Sequence, residues 1–490
     1  MPQSFAPTIH TPLLQQHQRL NSVVAESPQR PSPFSFWNLL KFLGPGFMIG
    51  VGYLDPGNWA SDLAAGSQFG YTLLYILLIA NAMATVLQYL CIKLGVATGN
   101  DLAMSCRKHF PRKFNTFLYI LTQLAIISTD LAEVIGTAIA LNLLFGIPLA
   151  LGVALTSLDV LVILAFYGKK HLLKYEAAVV GLVGVVGACF LYLVVVTRPN
   201  WGEVAWGYVP SSGIVREDGQ LYIAMAIMGA IIMPHNLYLH SSIVRYRSHV
   251  GSELLGEIKE PEVDLSVENV QPINRMSLIP ESLRYTNIDS IVALTVALLI
   301  NSAILIVAGA AFHENGLGEV AELKDAYELL KQNLGPLAGF AFALALFCSG
   351  QSSTITGTLA GQVVTEGFLG PSVQFRPELQ RLLTRVLAIA PAMTAALVSG
   401  ESGMNQLIVL SQVVLSLQLP FAIWPLVWIT NGGGSGDAMK VRFVKNSAEE
   451  GNVEEHVVDY ANSKGLRLFS IAIAVVITFF NFVLFFQLLV

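Results

Sequence analysis

The chain has 490 residues, of which 54% are apolar and only 12% charged, whereas a soluble domain carries about 25% charged residues. Together with a mean hydropathy of +0.60, this excludes an ordinary cytosolic enzyme and a disordered scaffold. The net charge of −5 leaves no basic face for nucleic acid, and what remains is an all-α polytopic protein of the lipid bilayer.

Residues 1–35 are polar and rich in Gln, Ser and Pro. They lack the apolar core of a signal peptide and read as a disordered cytosolic tail. A hydrocarbon layer needs about 20 apolar residues per helix. Eleven such runs follow, near 42–66, 69–97, 115–145, 147–167, 176–197, 220–244, 287–312, 336–366, 382–400, 405–430 and 467–489. The first ten make a core over 36–430 in two blocks of five, about 42–197 and 220–430. The polar stretches 245–286 and 431–466 read as flexible cytosolic connectors, 313–335 as an outer loop, and 467–490 as the eleventh span. With a cytosolic N-terminus, 24 of the 28 basic residues fall on the cytosolic side, as the positive-inside rule requires, and the C-terminus lies outside. Cys91, Cys106, Cys189 and Cys348 all fall in segments that argue against a structural disulfide. No Asn-x-Ser/Thr acceptor occurs.

The first span contains Asp55-Pro56-Gly57-Asn58 and the sixth contains Met233-Pro234-His235-Asn236. When the prolines are aligned, the asparagines align two residues later. Matching interruptions in the two halves of a membrane protein point to a midplane binding site. An odd number of spans per block makes the halves inverted repeats. Pro56 has no N–H, so the Gly52 carbonyl four residues back loses its donor, and Pro234 does the same to Ala230. Two bare carbonyls then lie beside the Asp55 carboxylate, the Asn58 amide and the Met233 thioether. An acid in mid-bilayer is functional by default, and these donors together make a cation site. Oxygen ligands alone suit Mg2+ or Ca2+, whereas the sulfur favours softer transition metals.

In the third span Asp130 and Glu133 are spaced i,i+3 and share one face. Two such acids must be paired, protonated or hydrated, and Arg385 in the ninth span is a candidate partner. His235 and His240 lie close to the interrupted sixth span, where a histidine can pass protons. Asp62 and Asp159 are intramembrane acids without an assigned role. The outer acids Glu314, Glu319, Glu322, Asp325 and Glu328 read as a solvated face.

The Asp55–Asn58 and Met233–His235 motifs, with the run Gly350–Gln362 of the eighth span, resemble the Nramp (natural resistance-associated macrophage protein) family of divalent metal transporters over about residues 40–430. The stretches starting at Leu90 and at Asp130 look most like fungal members. The resemblance implies a LeuT-like fold with helices 1–5 and 6–10 as inverted repeats. It also implies proton-coupled uptake of Mn2+ and Fe2+, with Cd2+ accepted, into the cytosol from outside the cell or from an endosomal or vacuolar lumen. By resemblance the metal ligands are Asp55, Asn58, Met233 and the Ala230 carbonyl, joined in some states by the Gly52 carbonyl and Gln412, and the proton route includes Asp130, Glu133 and Arg385. Magnesium- and aluminium-carrying relatives lack the methionine, and ethylene-signalling relatives carry a long soluble extension. No cofactor and no enzymatic step is implied. The alternatives are a sodium-coupled organic solute carrier on the same fold and a metal-binding membrane sensor.

Overall fold

The computed structural model describes residues 44–156, 172–211, 219–254, 270–272, 274–316, 322–370, 377–446 and 453–487. The first span is indeed two helices, α1 (Pro45–Gly52) and α2 (Pro56–Phe69). It unwinds before the proline. The N–H groups of Tyr53 and Leu54 drop back to the carbonyls of Gly50 and Val51, at 3.1 and 2.9 Å. The Asn58 N–H turns to Asp55 Oδ1 at 2.8 Å, so Asp55 caps α2 and satisfies a donor that has no helical acceptor.

Beyond it lie α3 (Leu74–Thr98), the short α4 (Leu102–His109), α5 (Arg112–Phe145), a helical stretch over 149–156, α6 (Leu172–Thr197) and α7 (Trp201–Gly207). The second block opens with a second broken span, α8 (Gln220–Ile231) and α9 (Pro234–Leu254). Then come α10 (Asn274–Ala308), a π-helical turn at Gly309–His313, α11 (Leu323–Leu334), α12 (Pro336–Leu369), α13 (Pro377–Val398), α14 (Gly400–Thr430) and α15 (Lys464–Gln487).

Among the described residues eight helical segments are long and apolar enough to cross a membrane. The expected eleven are not all counted among them: each half of the first span is short, the apolar part of α13 covers only Thr384–Val398, and the span expected at 147–167 is described only to 156. Apolar side chains on the outer helices face outward. Leu191 and Val195 of α6 and Phe479 and Phe482 of α15 are each at least 59% exposed, as a lipid-facing surface requires.

Where they are described, the two connectors expected to be flexible carry regular structure. Strand β1 (Val270–Pro272) pairs in parallel with β2 (Lys440–Asn446), which pairs antiparallel with β3 (Val453–Asp459). Val441 and Phe443 alternate with polar neighbours and project to one face. There they pack with Ile92, Val96 and Ala97 of α3, Val244 of α9 and Ile279 of α10. Lys93 Nζ, at the same end of α3, donates to the Ala461 carbonyl at 3.2 Å and to Asn462 Oδ1 at 3.0 Å.

Helix ends are also tied together. Asp289 of α10 accepts the N–H of Gly46 at 2.6 Å and of Gly44 at 3.4 Å, which caps α1. Asp101 forms an ion pair with Arg245 of α9 at 3.3 Å. Phe443 is fully buried, and truncating such a residue costs about 3–5 kcal/mol. Phe443→Ala is therefore expected to lower the melting temperature of the purified protein clearly, measured by thermal unfolding in detergent, whereas the exposed Phe479→Ala leaves it nearly unchanged.

Candidate metal site

The two breaks face each other. Asn58, two residues past Pro56, donates from Nδ2 to the Ala230 carbonyl, four residues before Pro234, at 3.2 Å. Asn236, two residues past Pro234, lies against Gly52, four residues before Pro56. A Cβ on Gly52 would fall 2.4 Å from Asn236 Nδ2. Each asparagine thus reaches the place in the opposite span where a proline strips a carbonyl of its donor.

The other released carbonyls are taken up. Tyr53 O accepts from Asn301 Nδ2 of α10 at 2.8 Å. Leu54 O accepts from Trp59 Nε1 at 3.1 Å and from the Ser349 hydroxyl of α12. Trp59 is held by edge-on contacts with Phe190 and Phe342. These bonds fix the unwound segment from two sides and leave its carboxylate at the centre.

Asp55 Oδ1 accepts both Asn58 donors, at 2.8 and 2.6 Å. The Met233 sulfur lies 3.5 Å from Asn236 Nδ2. Gln412 of α14 crosses the Gly57 surface, where a Cβ would fall 1.9 Å from its Nε2, and Gly229 of α8 meets the backbone of the same residue. Glycine at both positions is what lets α14 close on the two broken spans. Asp55, Asn58, Ala230, Met233, Asn236 and Gln412 are each at most 1% exposed.

Asp55 Oδ2, Asn58 Oδ1, Asn236 Oδ1 and Gln412 Oε1 are buried without a hydrogen-bond donor. Buried acceptors normally find donors, so four unfilled ones beside a thioether make a pocket whose electrostatics favour a cation. Among the described residues no three His, Cys, Asp or Glu side chains converge. The pocket holds one acid, and its remaining donors are neutral.

The second group of expected residues also comes together. Arg385 Nη1 lies 3.9 Å from Asp130 Oδ1 and 3.7 Å from Glu133 Oε2, and Nη2 donates to the Thr156 carbonyl at 3.2 Å. A Cβ on Gly357 of α12 would fall 3.1 Å from Glu133 Oε1, so α12 leaves room for the acids. His235 Nδ1 is 3.5 Å from Thr129 Oγ1, next to Asp130. His240 goes elsewhere. Its Nδ1 is 2.7 Å from Gln88 Oε1, and Gln88 Nε2 donates to the Tyr53 hydroxyl at 2.9 Å. His235 therefore bridges to α5, while His240 belongs to a network joining α9, α3 and the unwound segment after α1.

Gln88, Tyr53 and Thr129 went unnoticed in the sequence. Gln88 carried a usable signal, a polar amide in an otherwise apolar run. Thr129 carried none, since a threonine in a membrane helix ordinarily bonds its own backbone. Asn236 is visible in the sequence as the mate of Asn58, though its type alone assigns it no role. Asp159 and Glu319 lie outside the described residues. Of the other outer acids, Glu314 accepts from the Tyr71 hydroxyl at 2.6 Å and Glu328 is 3.7 Å from Lys331.

Residues 46–441 match the model of the natural resistance-associated macrophage protein-like family. The chain belongs to that family. A divalent metal cation transporter MntH of Nostoc is 50% identical over 412 residues, 83% of this chain and 87% of its own. The Listeria innocua protein of the same name is 45% identical over 92% of this chain and 90% of its own. These relatives are bacterial, and the expected likeness to fungal members finds no support among them. The crystal structure of a manganese transporter from Eremococcus coleocola, in complex with an aromatic bis-isothiourea compound, superposes with a TM-score of 0.73 at 35% identity, covering 93% of this chain and 88% of that one. The nucleobase-cation symporter Mhp1 in a closed conformation and MhsT with L-phenylalanine share the fold alone. They superpose at TM-scores of 0.50 and 0.52 with 16% and 14% identity, covering 79% and 90% of this chain and 77% and 97% of their own. The architecture of this Nramp protein is accordingly LeuT-like.

Asp55 is the only full negative charge among these pocket groups. Asp55→Ala is expected to abolish saturable Mn2+ binding by the purified protein, measured by calorimetry, while the melting temperature shows it still folded. Met233→Ala is expected to keep Mn2+ binding but narrow its preference over Ca2+ by about tenfold, the scale of one ligand contact. An unchanged preference would remove the role given to sulfur.

Proposed function

We propose that this chain carries divalent transition-metal ions, Mn2+ and Fe2+ with Cd2+ accepted, across a membrane toward the cytosol, driven by protons and by alternating access. The observation that carries this reading is the donor-poor pocket between the two breaks: one carboxylate, a thioether and acceptor oxygens with no donors. A hard-cation site would be all oxygen, and a site for an organic carboxylate would need donors as well. The relatives named divalent metal cation and manganese transporters support the same substrate class.

Asp55 anchors the incoming ion electrostatically. Asn58, Gln412 and the carbonyls of Ala230 and Gly52 replace lost water. Met233 filters against Ca2+ and Mg2+. The side chains of the pocket are buried in this arrangement. Release then requires α1 and α9 to move, and their inner ties are the Asp289 cap and the Asp101–Arg245 pair.

The proton leaves by a different route. His235 stands between the pocket and α5 through Thr129, and Asp130, Glu133 and Arg385 continue from there toward the cytosol. Two acids facing one guanidinium leave one carboxyl free to exchange a proton while the other keeps the arginine neutralised. His240, through Gln88, links the same broken spans and gives a second proton-exchanging group beside the pocket. The N-terminus is cytosolic and the C-terminus extracellular or lumenal, in the plasma membrane or an endosomal or vacuolar membrane. The chain makes and breaks no covalent bond in this scheme.

The deciding experiment is Mn2+ flux into proteoliposomes under an imposed pH gradient. An acidic outside is expected to accelerate uptake and to carry protons inward with the metal. Flux that ignores the gradient would refute coupling, and binding without flux would favour a sensor. Asp130→Asn is expected to reduce proton entry, read with an internal pH dye, by about tenfold or more while Mn2+ binding changes less than twofold. Equal losses of the two would assign Asp130 a structural role.

A further inference from the structure

Asp62 is a buried acid that takes no part in the arrangements above. It lies in α2 seven residues beyond Asp55, a spacing that places both on one helical face and about 10 Å apart along the axis. It is 1% exposed, and its Oδ2 has no hydrogen-bond partner. Among the described residues no ion pair reaches it. A carboxyl so placed in a bilayer is costly unless a proton or a cation neutralises it.

The seam beside it is short of donors as well. α2 packs tightly on α10: a Cβ on Gly66 would fall 2.4 Å from the Leu305 carbonyl and 2.6 Å from Ala308 Cβ. Asn301 and Ser302 lie on the same stripe of α10 as Leu305 and Ala308, one turn back, and Asn301 binds the Tyr53 carbonyl. Asn301 Oδ1 and Ser302 Oγ are both buried without a partner. The α10 side of the seam between the unwound segment and Gly66 therefore carries neutral oxygens without donors. Past Gly66, α2 ends at a cavity of about 260 Å3 whose walls include Phe69, Gly70, Glu203, His313 and Glu314. Acids thus occur at three depths: at this mouth, at Asp62 and at Asp55.

We propose that Asp62 is a second station for the divalent cation, on the route from the outer cavity to the Asp55 pocket, with Ser302 and Asn301 as neutral oxygen neighbours. The inference rests on the transport reading above. The station has no sulfur, so it admits divalent cations without selecting the soft ones, and selection waits for Met233. A carboxylate midway lowers the barrier to a dehydrating cation without adding to its final affinity.

The test uses the full chain, with Mn2+ and Cd2+ uptake measured in proteoliposomes and equilibrium Mn2+ binding measured in detergent. Asp62→Asn is expected to raise the KM for both ions about tenfold and alike, with equilibrium affinity within about twofold of the unmodified chain. Asp62→Glu is expected to recover most of the loss. An unchanged KM overturns the station. So does a KM that rises together with an equal loss of equilibrium affinity, which would make Asp62 part of the deep pocket. If Asp62→Asn does not fold, Ser302→Ala carries the test, with a KM rise of about threefold expected and an unchanged KM overturning it. Absence of uptake by the unmodified chain would refute the transport reading and the station with it. Uptake by the unmodified chain with an unchanged Asp62→Asn sinks the station alone.

Discussion

A proline in a membrane helix removes a backbone donor where no water can replace it, and the carbonyl left behind must be satisfied by something else. In this chain that constraint arises twice, once in each broken span. Asn58 reaches the Ala230 carbonyl, and Asn236 packs on Gly52. Because the two halves are related by inversion, one sequence device used twice becomes two opposed half-sites. The carbonyls that would weaken the structure are taken by Asn301, Trp59 and Ser349. What stays unfilled is concentrated around Asp55. The pocket is therefore a by-product of how the breaks are stabilised, and it can be dismantled by changing supports that never touch an ion.

The charge distribution follows the same economy. The central pocket contains one carboxylate and otherwise neutral donors, while the second acidic pair, Asp130 and Glu133, is kept on α5 with Arg385 as its counter-ion. Separating the two groups keeps the guanidinium away from an incoming cation. Gly357 on α12 and Gly57 on α2 hold open the spaces these side chains occupy. Small residues thus set the geometry and polar ones the chemistry.

Both breaks could be read from sequence because proline acts locally: its effect on the residue four back needs no knowledge of the fold. The pairing of Asp130 and Glu133 with Arg385 was legible for a similar reason, since buried acids demand a partner and the basic residues are few. The network of Gln88, His240 and Tyr53 was not, because a single polar residue in an apolar helix says nothing about which neighbour it will meet. Gln412 came only from family likeness. The three-stranded sheet was missed although Val441 and Phe443 alternate cleanly. The glycine run before them and the acidic run after them gave the segment the composition of a linker, and the partner strand is a three-residue stretch in a distant loop.

That sheet has a bearing on biogenesis. Val270 pairs with Arg442, so some 170 residues must be synthesised after β1 before its neighbour exists. At 5–20 residues per second, ribosomal output leaves the short strand waiting for about 10–30 s. During that interval four more hydrophobic helices enter the bilayer, and the apolar patch on α3, α9 and α10 that later accommodates Phe443 lies uncovered. The hairpin thus closes over the ends of α3, α9 and α10 only after the helices up to α14 have been synthesised.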